Sequence, residues 1–150
     1  MNKNGNKVTL ILDSSHHAMR LISVCKKEDT AEEGYGLWKY YFLNGIFQYI
    51  EKFKADEVII AVDSRTNWRK QIFPYYKSHR KLLRDKIDKS DDWFNFKEYF
   101  KIYSDFLEEI KKNLPFKVIE VSDAEADDIA GILINDKVIT KVIVSCKKKI

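Results

Sequence analysis

Residues 8–12 (VTLIL) and 57–62 (EVIIAV) are short, nearly unbroken apolar runs, and each is followed at once by an aspartate, Asp13 and Asp63. Runs this short and this rich in β-branched residues suit strands covered on both faces, as in a parallel sheet. Residues 116–121 (FKVIEV) and 141–145 (KVIVS) supply two further strands. Between the strands the apolar period changes. Trp38, Tyr41, Phe42, Gly45, Ile46, Tyr49 and Phe53 recur at steps of three and four, and so do Phe96, Tyr99, Phe100, Tyr103, Leu107, Ile110 and Leu114, with Pro115 as a stop. Each series traces one face of an amphipathic helix. Ser122 and Glu125 have the spacing of a capping box that opens a third helix running through Ile134. Strands alternating with helices predict an α/β fold with a mainly parallel sheet.

Nothing divides the chain. Its 150 residues contain no repeat, low-complexity tract or linker, so residues 1–150 are read as one domain, with the polar stretch 86–92 as the expected mobile connection. No apolar run approaches the roughly 20 residues needed to cross a bilayer. The polar residues 1–7 lack the apolar block of a signal peptide, so a cytoplasmic protein is expected. Cys25 and Cys146 stand far apart in no paired spacing and are read as structural thiols.

Ligands of an open parallel sheet bind at the carboxyl ends of its strands. Asp13 and Asp63 occupy that position, and Glu125, Asp127 and Asp128 (EADD) lie where a helix follows the third strand. Carboxylates gathered at one place repel unless a cation stands between them. An all-oxygen set suits Mg²⁺ or Mn²⁺, and no histidine or cysteine cluster competes for a softer metal. Such a site supports phosphodiester cleavage, the ion activating water and neutralising developing charge. Singly, each acid has an ordinary reading. An aspartate after a strand caps a turn, Glu125 closes the box of Ser122, and acids in a first turn favour the helix dipole.

The net charge of +4 is concentrated in one segment. Arg65, Arg69, Lys70, Lys77, Arg80, Lys81, Arg84, Lys86 and Lys89 face only Asp85 and Asp88 there, which is the footprint of a phosphate-backbone binder. Within it, residues 68–81 read WRKQIFPYYKSHRK. Arg69, Lys77, Arg80 and Lys81 are placed to contact phosphates, and Trp68, Tyr75 or Tyr76 to stack on exposed bases. The plain alternative is a solvated helix with Ile72 and Phe73 packed on the core.

Together these features resemble the 5′-nuclease family. The pattern W-R-x-x-x-F-P-x-Y-K-x-x-R, here Trp68, Arg69, Phe73, Pro74, Tyr76, Lys77 and Arg80, is similar to the family's arch-region signature. Asp13, Asp63 and the EADD motif match in order and approximate spacing, and the phage-type ribonuclease H branch is the nearest likeness. The resemblance implies a three-layer α/β/α core with a helical arch over residues 65–92. It implies 5′-3′ exonuclease and flap endonuclease activity with primer removal like that of a ribonuclease H, on branched, flapped or RNA-primed DNA during replication. It also implies replication proteins as partners, a monomeric state, and two Mg²⁺ (or Mn²⁺) ions in complete members. By matched position, Asp13, Asp63, Glu125 and Asp127 would ligand metal, with Asp128 beside them. Arg69 and Lys77 would be catalytic, and Trp68, Lys70, Tyr76, Arg80 and Lys81 would bind the nucleic acid.

The tail departs from the family. Its motif I-x-S-S-D-x-D-F corresponds to residues 143–150, where Lys147 and Lys149 replace the two aspartates, and the downstream helix-hairpin-helix part is absent. An incomplete N-terminal nuclease domain, weakly active or inactive alone, is therefore expected. Two alternatives stay open: a non-catalytic nucleic-acid-binding remnant, and a PIN-type ribonuclease. A nucleotide-binding α/β module is disfavoured, because the five glycines form no G-x-G-x-x-G.

Overall fold

A computed structural model of the protein describes residues 7–26, 28–87, 94–135 and 142–145. Four strands, β1 (Thr9–Asp13), β2 (Glu57–Val62), β3 (Lys117–Glu120) and β4 (Val142–Ser145), form one parallel sheet in the order β3-β2-β1-β4. Six helices join them: α1 (Ser14–Cys25), α2 (Ala31–Phe53), α3 (Trp68–Ile72), α4 (His79–Ile87), α5 (Phe96–Asn113) and α6 (Ala126–Asn135). None of the described helices is long and apolar enough to cross a membrane.

Strand alternation sorts the core into two layers. Leu10 and Leu12 of β1, with Val58, Ile60 and Val62 of β2, face a cluster built by α1, α2 and α5. The residues between them, Ile11, Ile59 and Ala61, face Ala126, Ile129 and Ala130 of α6. A period of two therefore gives β1 and β2 two buried faces each, as their unbroken apolar runs predict. The three-layer α/β/α arrangement follows.

Trp38 is the hub of the larger layer. It is 1% exposed, its ring meets Phe42, Tyr99, Tyr103 and Phe106 at 5.6–6.2 Å, and its indole N–H donates to the Ala18 carbonyl at 3.0 Å. Trp38→Ala leaves a large cavity and removes the indole bond to the Ala18 carbonyl. It is expected to destabilise the fold by about 3–5 kcal/mol, read as a lower urea midpoint by circular dichroism. A loss below about 1 kcal/mol would mean that the ring is not a core element.

Local signals set the helix ends. Thr30 accepts the Glu33 N–H at 3.3 Å to cap α2, and Asn95 accepts the Glu98 N–H at 2.7 Å to cap α5. α6 begins later than the Ser122–Glu125 box predicts. Asp123 adopts a left-handed turn (φ 64°), and the box sits three residues on, where the Asp128 carboxylate accepts the Glu125 N–H at 2.9 Å. Ile72 and Phe73 do not pack on the core; they are 76% and 56% exposed.

His17 lies buried between α1 and α2, with Nε2 3.0 Å from the Phe42 carbonyl and Nδ1 without a partner. Burial lowers its pKa despite the bond to Phe42, and Arg20 and His16 push the same way. The unfolded chain thus takes a proton near pH 6.5 that the folded chain refuses. Stability is full above that pH and falls as pH drops through it, by up to about 1.4 kcal/mol per unit. A urea midpoint that stays level between pH 7.5 and 5.5 would contradict this.

Candidate active site

The sheet order reverses at β1, which has β2 on one side and β4 on the other. A crevice opens at such a switch point outside the strands' carboxyl ends, and Asp13 ends β1 there. Its carboxylate accepts the His16 N–H at 2.8 Å, which caps α1. Asp63 follows β2 and accepts the Ala126 N–H at 2.8 Å, which caps α6 from across the crevice. Asp127 stands in the first turn of α6. Both aspartates therefore have the capping role that an aspartate after a strand commonly has, and each keeps a second oxygen.

Asp13 senses the other two acids. Burial raises the Asp13 pKa, the His16 bond opposes this, and the charges of Asp63 and Asp127 raise it further. Mutual repulsion is the property that a cation would relieve. As arranged, however, no three His, Cys, Asp or Glu side chains among the described residues are gathered closely enough to hold an ion together.

Glu125 and Asp128 are turned to the basic segment. Glu125 accepts from Lys77 Nζ at 2.5 Å and the Tyr76 hydroxyl at 3.0 Å, with Arg69 Nη1 at 3.3 Å. Burial disfavours its charged form, but Lys77 and Tyr76 outweigh that and hold its pKa below the usual range. Lys77 is raised in turn, its own burial being offset by Glu125 and Tyr76. Its backbone is left-handed (φ 55°), in the turn between α3 and α4, where a non-glycine residue is strained. Asp128 receives the Arg69 guanidinium bidentately, at 2.6 and 2.7 Å, and this bond holds its carboxyl far below the ordinary value.

Of the residues predicted to bind nucleic acid, Trp68, Lys70 and Arg80 are exposed and Tyr76 is half-buried against Glu125. The side chain of Lys81 lies outside the described residues, as do Lys147 and Lys149. Sequence reasoning missed Ser14 and Tyr103. The buried Ser14 hydroxyl donates to the Ala61 carbonyl at 2.8 Å and lies 2.6 Å from the Tyr103 hydroxyl, which joins the ends of β1 and β2 directly behind Asp13. Burial pushes the Tyr103 phenol up to about 12. The only available signal was that a tyrosine hydroxyl on a core-facing helix stripe needs a partner.

Residues 8–149 match the family model of the 5′-3′ exonuclease N-terminal, resolvase-like domain. The chain is 31% identical over 97 residues to DNA polymerase I of Caldicellulosiruptor bescii, covering 64% of this chain and 10% of the polymerase. Among solved structures it is similar to a bacteriophage T5 protein co-crystallized with metal ions, with a TM-score of 0.67 and 18% identity over 95% of this chain and 50% of the other. It is also similar to a T5 5′-exonuclease with divalent metal ions (zinc) bound, with a TM-score of 0.64 and 19% identity over 85% and 44% of the two chains. A T5 flap endonuclease in a pseudo-enzyme–product complex with DNA and metal ions gives a TM-score of 0.67 and 18% identity over 92% and 48%. At these identities the structures establish the fold, and the chain spans about half their length.

Proposed function

The chain belongs to the 5′-3′ exonuclease family through its N-terminal, resolvase-like domain, and from that membership we propose that it acts on the 5′ ends of flapped or RNA-primed DNA as a divalent-metal-dependent phosphodiesterase domain. The observation that supports this reading is that Asp13 and Asp63 follow neighbouring parallel strands, with Asp63 capping the helix that carries Asp127 and with Lys77 and Arg69 held by Glu125 and Asp128 at the start of that helix. The donor set fits a hard divalent ion: it is all carboxylate, self-repelling and free of competing imidazole or thiolate. Asp13, Asp63 and Asp127 would hold the ion, with Glu125 joining them once Lys77 turns to the substrate. Such an ion, Mg²⁺ or Mn²⁺, would supply Lewis-acid activation of the phosphate and of a water nucleophile.

The chain's own residues supply the rest. Lys77 and Arg69 neutralise charge on the scissile phosphate, while Tyr76 and Trp68 offer faces for an unpaired base. Lys70, Arg80 and Lys81 draw in the anionic strand. Residues 1–150 act as the N-terminal part of the nuclease, and Lys147 and Lys149 make this part a weak catalyst by itself. A non-catalytic binding remnant is the second reading, favoured by those lysines and by the engagement of Glu125 and Asp128 with arch cations.

The purified chain, given a 5′-labelled flap substrate, should bind it with an affinity that falls steeply with salt, and should bind Mn²⁺ by calorimetry. Absence of both would end the nuclease reading. Efficient Mg²⁺-dependent release of the flap would instead refute the expected weakness.

A further inference from the structure

We propose that Asp128 is a positioning residue that fixes the root of the basic segment by holding Arg69 and Trp68, and that it does not ligand the metal. The inference deepens the nuclease reading and rests on it only for what the segment binds.

The segment has little apolar packing to hold it. α3 spans five residues and buries none of them, and Ile72, Phe73, Tyr75, Leu82 and Leu83 are all more than half exposed. A helix this short does not persist by itself in water. Apolar packing does not place it either, so its position must come from polar contacts.

At the root of the segment, around Trp68 and Arg69, those contacts converge on the Asp128 carboxylate, while Glu125 holds Tyr76 and Lys77 further along. Asp128 Oδ1 accepts from Arg69 Nη2 at 2.6 Å. Oδ2 accepts from Arg69 Nη1 at 2.7 Å, the Glu125 N–H at 2.9 Å and the Trp68 indole at 3.3 Å. Four donors thus share this one carboxylate, three of them on Oδ2. The paired guanidinium bonds fix direction as well as distance, which a lysine would not do. The Arg69 guanidinium also lies 4.6 Å from the Trp68 ring centre, so the carboxylate orders a stacked pair. Two backbone bonds strap the same place: the Trp68 N–H to the Asp123 carbonyl and the Ser64 N–H to the Ala124 carbonyl, each at 3.0 Å. Asp127, one residue earlier, is exposed and interacts with Asp13. Adjacent aspartates thus divide the work, one facing the acidic crevice and one facing the arch.

The test compares the full chain with Asp128→Asn, which preserves shape, and with Arg69→Lys, which keeps the charge and loses the paired bonds. Trypsin has sites throughout residues 69–86, so its cleavage rate there reports how often the segment leaves its seat. Asp128→Asn should be cut there about tenfold faster, with an unchanged thermal midpoint, because the segment opens locally without the core. Arg69→Lys should also be cut faster than wild type, because a lysine keeps the charge without the paired bonds. Calorimetry with Mn²⁺ should give an affinity within about threefold of wild type for Asp128→Asn, against a loss of more than about tenfold for Asp63→Asn. Unchanged cleavage by trypsin would overturn the proposal, and so would an Mn²⁺ affinity that falls as far as in Asp63→Asn. If the wild-type chain takes up no Mn²⁺, the nuclease reading fails, and the trypsin rates alone decide the role of Asp128.

Discussion

Replacing Lys147 and Lys149 together by aspartate is expected to raise Mg²⁺-dependent flap cleavage by this chain at least about a hundredfold. β4 pairs with β1 so that Ser145 stands opposite Leu12, one residue before Asp13. β4 therefore ends at the edge of the sheet that carries Asp13, and in the sequence both lysines come within four residues of Ser145. Each substitution changes a positive charge to a negative one. At an effective dielectric near 20, two unit charges about 6 Å apart interact by about 3 kcal/mol, and more when one partner is divalent. Reversing two such terms exceeds the roughly 2.7 kcal/mol that a hundredfold change requires. Lys148→Asp changes charge by the same amount per site, away from the two motif positions, and should do much less. Equal gains from Lys148→Asp and from the double change would mean that net charge, not ligation, limits the chain.

Much of the fold was legible because strand and helix periods are local properties. The apolar runs before Asp13 and Asp63 specified strands with two buried faces, and the aromatic series at 96–114 specified α5 almost to the residue. The start of α6 was misplaced because two capping boxes overlap in residues 122–128. The choice between them depends on Asp63, which caps Ala126 from a sequence distance of 63 residues. No local rule contains that contact.

The site was legible as a set of residues and only partly as an arrangement. Pattern identified Asp13, Asp63 and the EADD motif, and the sheet brings them to one edge. It did not reveal that Glu125 and Asp128 face Lys77 and Arg69 while Asp127 does not, because the adjacent helical positions 127 and 128 point in different directions and nearby charges decide which carboxylate each cation takes. Ile72 and Phe73 were equally ambiguous. Their apolarity predicted packing, but the short α3 projects them away from the core.

Asp13→Asn is expected to separate function from stability in opposite directions. Asparagine keeps a side-chain oxygen for the His16 N–H, so the cap on α1 survives. It removes the charge that burial, Asp63 and Asp127 disfavour. The thermal midpoint should therefore hold or rise, as it does where a site keeps repulsion for the sake of function. Without that charge the crevice loses a ligand at its centre. Flap cleavage, measured in the Lys147→Asp plus Lys149→Asp background, should fall on the order of a thousandfold, since a bound metal supplies several kcal/mol of charge stabilisation. Mn²⁺ binding should weaken in parallel. A variant that loses stability along with cleavage would make Asp13 a structural residue. One that cleaves as before would leave the binding-remnant reading standing and remove the metal-centred one, because the acidic crevice would then have no part in the chemistry.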